Sequence, residues 1–186
     1  MLARYERLLA RRPLVVKTVL GGTIACCGDA TAQKIERRRS SHAAQQPYDK
    51  RRGLALTSLG TVWNGPFLHY YFNALDRRFP PSGGKFRAML LKTGVNQLIM
   101  NPLVYLPLFY LWTGTVAGRS SDQIIDKATR EYKPSLYATW LIFTPVNVGN
   151  FYFVPLRHQT AVNVCVSFVY NTTLSIIGAP REEDVR

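Results

Sequence analysis

Six residues of this chain could do chemistry in a place where polar chemistry is costly. Asp29, Gln33, His69, Lys92, Asn96 and Gln97 lie within or beside long stretches that carry no charge. Polar groups in hydrocarbon are expensive, and they normally face a bundle interior or an aqueous cavity. Two uses are open to them. Asp29 and Lys92 could line, and partly gate, a water-filled path for a solute. Alternatively, a carboxylate and an ammonium within hydrogen-bonding reach could form a buried pair that fixes helix packing. His69 fits a hydrogen-bonded contact between helices better than a proton relay.

Catalysis finds little support. The sequence contains no GxxxxGKS/T phosphate loop, no HExxH and no GxSxG. Cys26 and Cys27 are adjacent, Cys165 is distant, and no CxxC occurs. His42, His69 and His158 are too scattered to hold a metal. The expectation is a protein that is not an enzyme and has neither cofactor nor metal.

The elements that must position these groups follow from charge segregation. Mean hydropathy is −0.07 over 186 residues, which looks soluble. The average misleads, because uncharged runs occupy residues 53–75, 93–118, 134–156 and 158–180. About 20 apolar residues suffice for a helix to cross a bilayer. A fifth segment, 13–35, opens on Pro13, which suits a first helical turn. Its Gly21, Ala25, Gly28 and Ala32 predict a seam for close helix contact, and its Lys17 is placed to snorkel towards the interface. Asn147, Asn150, Asn163 and Asn171 make the last two runs unusually polar for simple anchors. The fold class implied is all-α: a polytopic integral membrane helix bundle with four to five membrane segments and short interfacial helices, in a single domain over 1–186.

Outside the runs, residues 1–12 carry four arginines and one acid, with Leu2, Tyr5, Leu8 and Leu9 at helical spacing. This resembles a mitochondrial presequence, and a retained interfacial helix is preferred. Residues 36–52 read as a basic loop and 119–133 as an interfacial connector. In 134–156, Pro145 and Gly149 are expected to interrupt the helix. The net charge of +13 suits anionic lipid, such as cardiolipin at the basic loops; no aromatic interleaving or motif supports direct nucleic-acid binding.

The order Trp140, Pro145, Asn150–Phe151, Val154–Pro155, Val162, Val166, Asn171 and Leu174–Ser175 carries a family resemblance. Upstream, Tyr5, Leu9, Pro13, Gly22, Gly28–Asp29 and Gln33 fit the same pattern, as do Asp49, Arg52, Gly60, Gly65–Pro66, His69, Tyr71 and Leu75. Together with Lys92, Gln97 and Pro102, they resemble the Mpv-seventeen family of small organelle membrane proteins, which includes a peroxisomal membrane protein of twenty-two kilodaltons. The resemblance implies the mitochondrial inner membrane, with the peroxisomal membrane as alternative. It implies a channel that influences membrane potential and metabolite homeostasis. Gly21, Gly28, Gly65, Pro66, Trp140, Pro145, Asn150, Phe151, Pro155 and Asn171 are then family packing positions. Asn96 and Gln159 are neutral where the family carries charge. Those departures favour a second reading, an accessory subunit of a larger inner-membrane complex, and a homo-oligomer is compatible with either.

Overall fold

The computed structural model describes residues 2–39 and 47–177, with the backbone alone for residues 2, 3, 39 and 171–177. The described chain is helical almost throughout. Helix α1 spans Leu2–Arg11 and α2 spans Pro13–Arg39. Helix α3, Lys50–Val62, passes through a π-helical segment, Trp63–Phe67, into α4, Leu68–Arg78. Helix α5, Lys85–Val95, passes likewise through Asn96–Tyr105 into α6, Leu106–Val116. Helices α7, Ser121–Phe153, and α8, Leu156–Ile177, complete the bundle. Among the described residues there is no strand.

Each π segment contains a proline, Pro66 or Pro102. Proline has no N–H and clashes with the carbonyl four residues back, so the helix widens rather than keeping its register. The widening turns amides inward: Asn64 in the first segment, and Asn96, Gln97 and Asn101 in the second, are all buried.

The packing is inverted relative to a water-soluble bundle. Lys17, Asp29 and Lys92 are no more than 5% exposed, whereas Leu103 is 69% and Leu141 79% exposed. Val15, Val19, Leu54, Leu98 and Ile99 also face outward. Water penalises both halves of that arrangement, and lipid penalises neither. By length and composition, one helix among the described residues is apolar enough to cross a membrane: Pro13–Arg38 within α2, at mean hydropathy 1.3. The apolar core that does exist packs Trp63, Leu68, Phe72 and Phe151, with Phe72 and Phe151 edge to face at 5.6 Å.

Several sequence expectations change. The 119–133 connector is the first part of α7, a single 33-residue helix that runs through both Pro134 and Pro145. Its start is fixed by a capping box, in which Ser120 Oγ accepts from the Gln123 N–H and Gln123 Oε1 accepts from the Ser120 N–H. The break falls later, at Val154, whose extended backbone precedes Pro155. Ser120→Ala is expected to cost about 1 kcal/mol. Thermal unfolding in detergent checks it; an unchanged midpoint would mean the cap does not hold this helix.

The basic loop is shorter than 36–52, because α2 continues to Arg39 and α3 begins at Lys50. Residues 40–46, including His42, and the tail beyond Ile177 lie outside the described residues, as does the side chain of Asn171. The small-residue seam also divides. Gly21 and Ala25 meet α3 at Gly60, while Gly28 faces Phe168 of α8. Helix α1 docks through Glu6, which reaches His158 at 3.2 Å and Arg157 at 3.7 Å.

Candidate functional site

The polar residues collect at three levels of the bundle. At the end where α2 finishes and α3 starts, Asp29 is 1% exposed. Its Oδ2 accepts from Gln33 Nε2 and from the Tyr48 hydroxyl, both at 2.8 Å. Arg52 Nε lies 3.1 Å from Asp29 Oδ1, and the same guanidinium forks onto Glu36 at 2.8 and 3.1 Å. Gln33 also ties down Asp49, accepting from its N–H at 2.8 Å and donating to its carbonyl at 3.1 Å. Asp49 in turn caps α3 through the Arg52 N–H. Burial, followed by the bond to Asp29, pushes the Tyr48 phenol up to about 12. A Cβ on Gly53 would collide with the Tyr48 hydroxyl and lie 3.2 Å from Asp29 Oδ2, so any larger residue there would displace the phenol that bonds Asp29.

These groups form one wall of an open cleft of about 470 Å³. Asp29, Glu36, Asp49 and Arg52 face Arg119, Lys127 and Glu131 across it. The mouth therefore carries both signs of charge, and its floor is apolar.

One level deeper lies a chamber of about 70 Å³, walled by Asn64, Asn96, Asn101, Thr139 and Asn163 among aromatic rings. At roughly 10–15 Å³ per water position, it has room for several waters. Its amides are only partly satisfied by protein. Asn96 accepts from Tyr71 at 3.1 Å, Asn101 donates to Gln97, and Asn163 Nδ2 has no partner among the described residues. Gln97 sits behind the chamber wall, its side chain donating to Thr144 at 3.1 Å and its backbone carbonyl accepting from Trp140 Nε1 at 2.8 Å.

Towards the opposite end, buried polar atoms continue on α7 and α8. Asn147 and Thr160 are fully buried, and among the described residues neither amide atom of Asn147 nor Thr160 Oγ1 is partnered. Asn150 Nδ2 donates to the Gln159 carbonyl at 3.1 Å, yet Asn150 Oδ1 and Gln159 Oε1 are left over. Buried groups of this kind are normally satisfied by water or an ion.

The geometry separates residues that spacing alone could not. Asp29 and Lys92 do not pair. Lys92, 2% exposed, bonds Asp76 at 2.5 Å, and Asp29 belongs to Arg52. His69 Nδ1 lies 3.1 Å from Lys17 Nζ, so Lys17 turns inward instead of snorkelling. Of the six residues singled out, Asp29 lines the mouth with Gln33 hydrogen-bonded to it, Asn96 lines the chamber, Gln97 braces it, and His69 and Lys92 form separate pairs. Asn64, Asn101, Asn147 and Asn163 carry as much of the interior as those six. Their signal was visible as asparagines inside uncharged runs. The pairings with Arg52, Asp76 and Tyr48 had none, because each contact joins residues at least 16 apart.

Residues 114–175, from the end of α6 into α8, match the Mpv17 / PMP22 family. The chain is 32% identical over 173 residues to the mitochondrial inner membrane protein Mpv17 of Danio rerio, covering 92% of this chain and 93% of that protein. It is also 32% identical to the Homo sapiens protein of the same name, over 92% and 93% of the two chains. Protein SYM1 of Candida albicans is 29% identical over 94% of each chain. No solved structure gives a significant match. Identity of 32% over 92% of its length makes this chain a member of the Mpv17 / PMP22 family and a protein of the mitochondrial inner membrane.

Proposed function

We propose that the protein is a polytopic channel or solute-permeation protein, acting without catalysis on membrane potential and metabolite balance. Five helical rods would cross: α2, α3–α4, α5–α6, α7 and α8. The observation that carries this reading is the line of polar space inside an apolar exterior. A charged cleft adjoins an amide-lined chamber through the shared wall residues Leu56 and Phe109, and amides unpartnered among the described residues occur further along α7 and α8. A helix bundle built only for packing has no need of buried amides without partners, because each costs about 1–3 kcal/mol. Anionic headgroups such as cardiolipin would sit at the basic rim around Arg37, Arg38, Lys50 and Arg51.

Planar-bilayer recording of the purified full chain tests the proposal. Discrete conductance steps are expected, and Asn163→Leu is expected to reduce them by placing an apolar side chain in the chamber wall. Folded, monodisperse protein that passes no current would overturn it.

A second reading has one specific observation in its favour. Each deeply buried charge has a partner: Asp29 is ion-paired with Arg52 and Lys92 with Asp76, while Lys17 is hydrogen-bonded to the His69 imidazole. Paired charges hold helices together without moving solute. On that reading the chain is an accessory subunit, and the native protein would elute within a large assembly from mildly solubilised mitochondria.

A further inference from the structure

The charged mouth and the amide chamber share two wall residues, Leu56 of α3 and Phe109 of α6. Every other residue lining either space belongs to one of them alone. The partition between the two is therefore formed at these side chains, and both are hydrocarbon. We propose that Leu56 and Phe109 are the gate of the permeation path, a hydrophobic constriction that closes by excluding water. This rests on the permeation reading above and adds the place and the physical means of its regulation.

Two hydrogen bonds hold α6 beside the proposed gate. Trp112 Nε1 donates to Ser58 Oγ at 3.0 Å, tying α6 to α3 within a turn of both gate residues. The Tyr110 hydroxyl bonds Ser135 Oγ at 2.8 Å, tying the same stretch of α6 to α7. These bonds hold α6 on two sides and so limit how far Phe109 can move from Leu56. Water leaves a narrow apolar neck because the polar groups above and below it offer better hydrogen bonding than the neck itself. Opening requires only that α6 move away from α3, and breaking the Trp112–Ser58 bond is the smallest step that permits it.

Single-channel recording in planar bilayers tests this with four proteins: wild type, Leu56→Ala, Phe109→Ala and Trp112→Phe. The two alanine variants widen the neck, and open probability is expected to rise roughly tenfold, a shift of about 1.4 kcal/mol in the closed–open equilibrium. Trp112→Phe leaves the neck unchanged but releases α6, and is expected to raise opening with unaltered unitary conductance. Should an alanine variant fail to fold, Phe109→Leu keeps most of the volume and is expected to give a smaller rise. A conducting wild type with unchanged opening in all folded variants would overturn the gate and leave the permeation reading standing. Silence from the wild type and from every widened variant would overturn both.

Discussion

Arg52→Ala is expected to be among the most destabilising single changes in the chain, at about 3 kcal/mol. Arg52 serves two carboxylates, Asp29 and Glu36. The Asp29 side chain is 0% exposed, so removing its cation leaves a charge that water cannot reach. Losing one partner of a buried pair typically costs about 3–5 kcal/mol. The Arg52 side chain is itself 35% exposed, which admits some solvent and puts the loss at the lower end of that range. Arg52→Lys should recover little, because an ammonium cannot fork onto Glu36 while also facing Asp29. The double variant Arg52→Ala with Asp29→Asn should recover part of the loss, since the stranded charge is gone. Chemical unfolding in micelles measures all four proteins. A single-variant loss below about 0.5 kcal/mol, the range of an exposed pair, would show that Asp29 is hydrated in the native protein.

That ion pair also marks where sequence reasoning stops. The inward placement of Asp29, Gln33, Lys92, Asn96 and Gln97 was readable, because lipid leaves a polar side chain few other directions. Which groups meet was not. Asp29 and Lys92 are the obvious opposite charges near membrane depth, but they occupy different levels of the bundle and answer to Arg52 and Asp76. Arg52 ends a basic loop in the sequence, and only the fold places its Nε 3.1 Å from Asp29. The helical class and the uncharged runs were legible from composition. The two π segments were not, because Pro66 and Pro102 predict a disturbed helix without saying whether it kinks or widens. That choice matters, since the widened turns carry Asn64, Asn96 and Asn101 to the chamber. Pro134 and Pro145, by contrast, sit in α7 without breaking it.

Replacing Gly21 by alanine is expected to cost about 1–3 kcal/mol, whereas the same change at Gly28 should be close to neutral. Sequence spacing puts both glycines on one seam, and the packing distinguishes them. A Cβ on Gly21 would lie 2.7 Å from the carbonyl oxygen of Gly60 and 2.7 Å from Asn64 Cβ. The carbonyl is backbone and cannot rotate away, so α2 and α3 would have to separate. On Gly28 the nearest atom is Phe168 Cδ2 at 3.4 Å, a ring edge that needs little movement. Gly149, with nothing within 4 Å of its added Cβ, supplies the control. There alanine should gain up to about 1 kcal/mol from the lower backbone entropy of the unfolded chain. The Gly21 effect should extend beyond stability. Asn64 lines the chamber, so pushing it away from α2 moves a chamber wall, and Gly21→Ala should alter conductance even in the fraction that folds. Thermal midpoints of the three alanine variants in the same detergent decide the matter. If Gly21→Ala unfolds at the same temperature as Gly149→Ala, the α2–α3 contact is looser than drawn here, and the chamber does not depend on that seam.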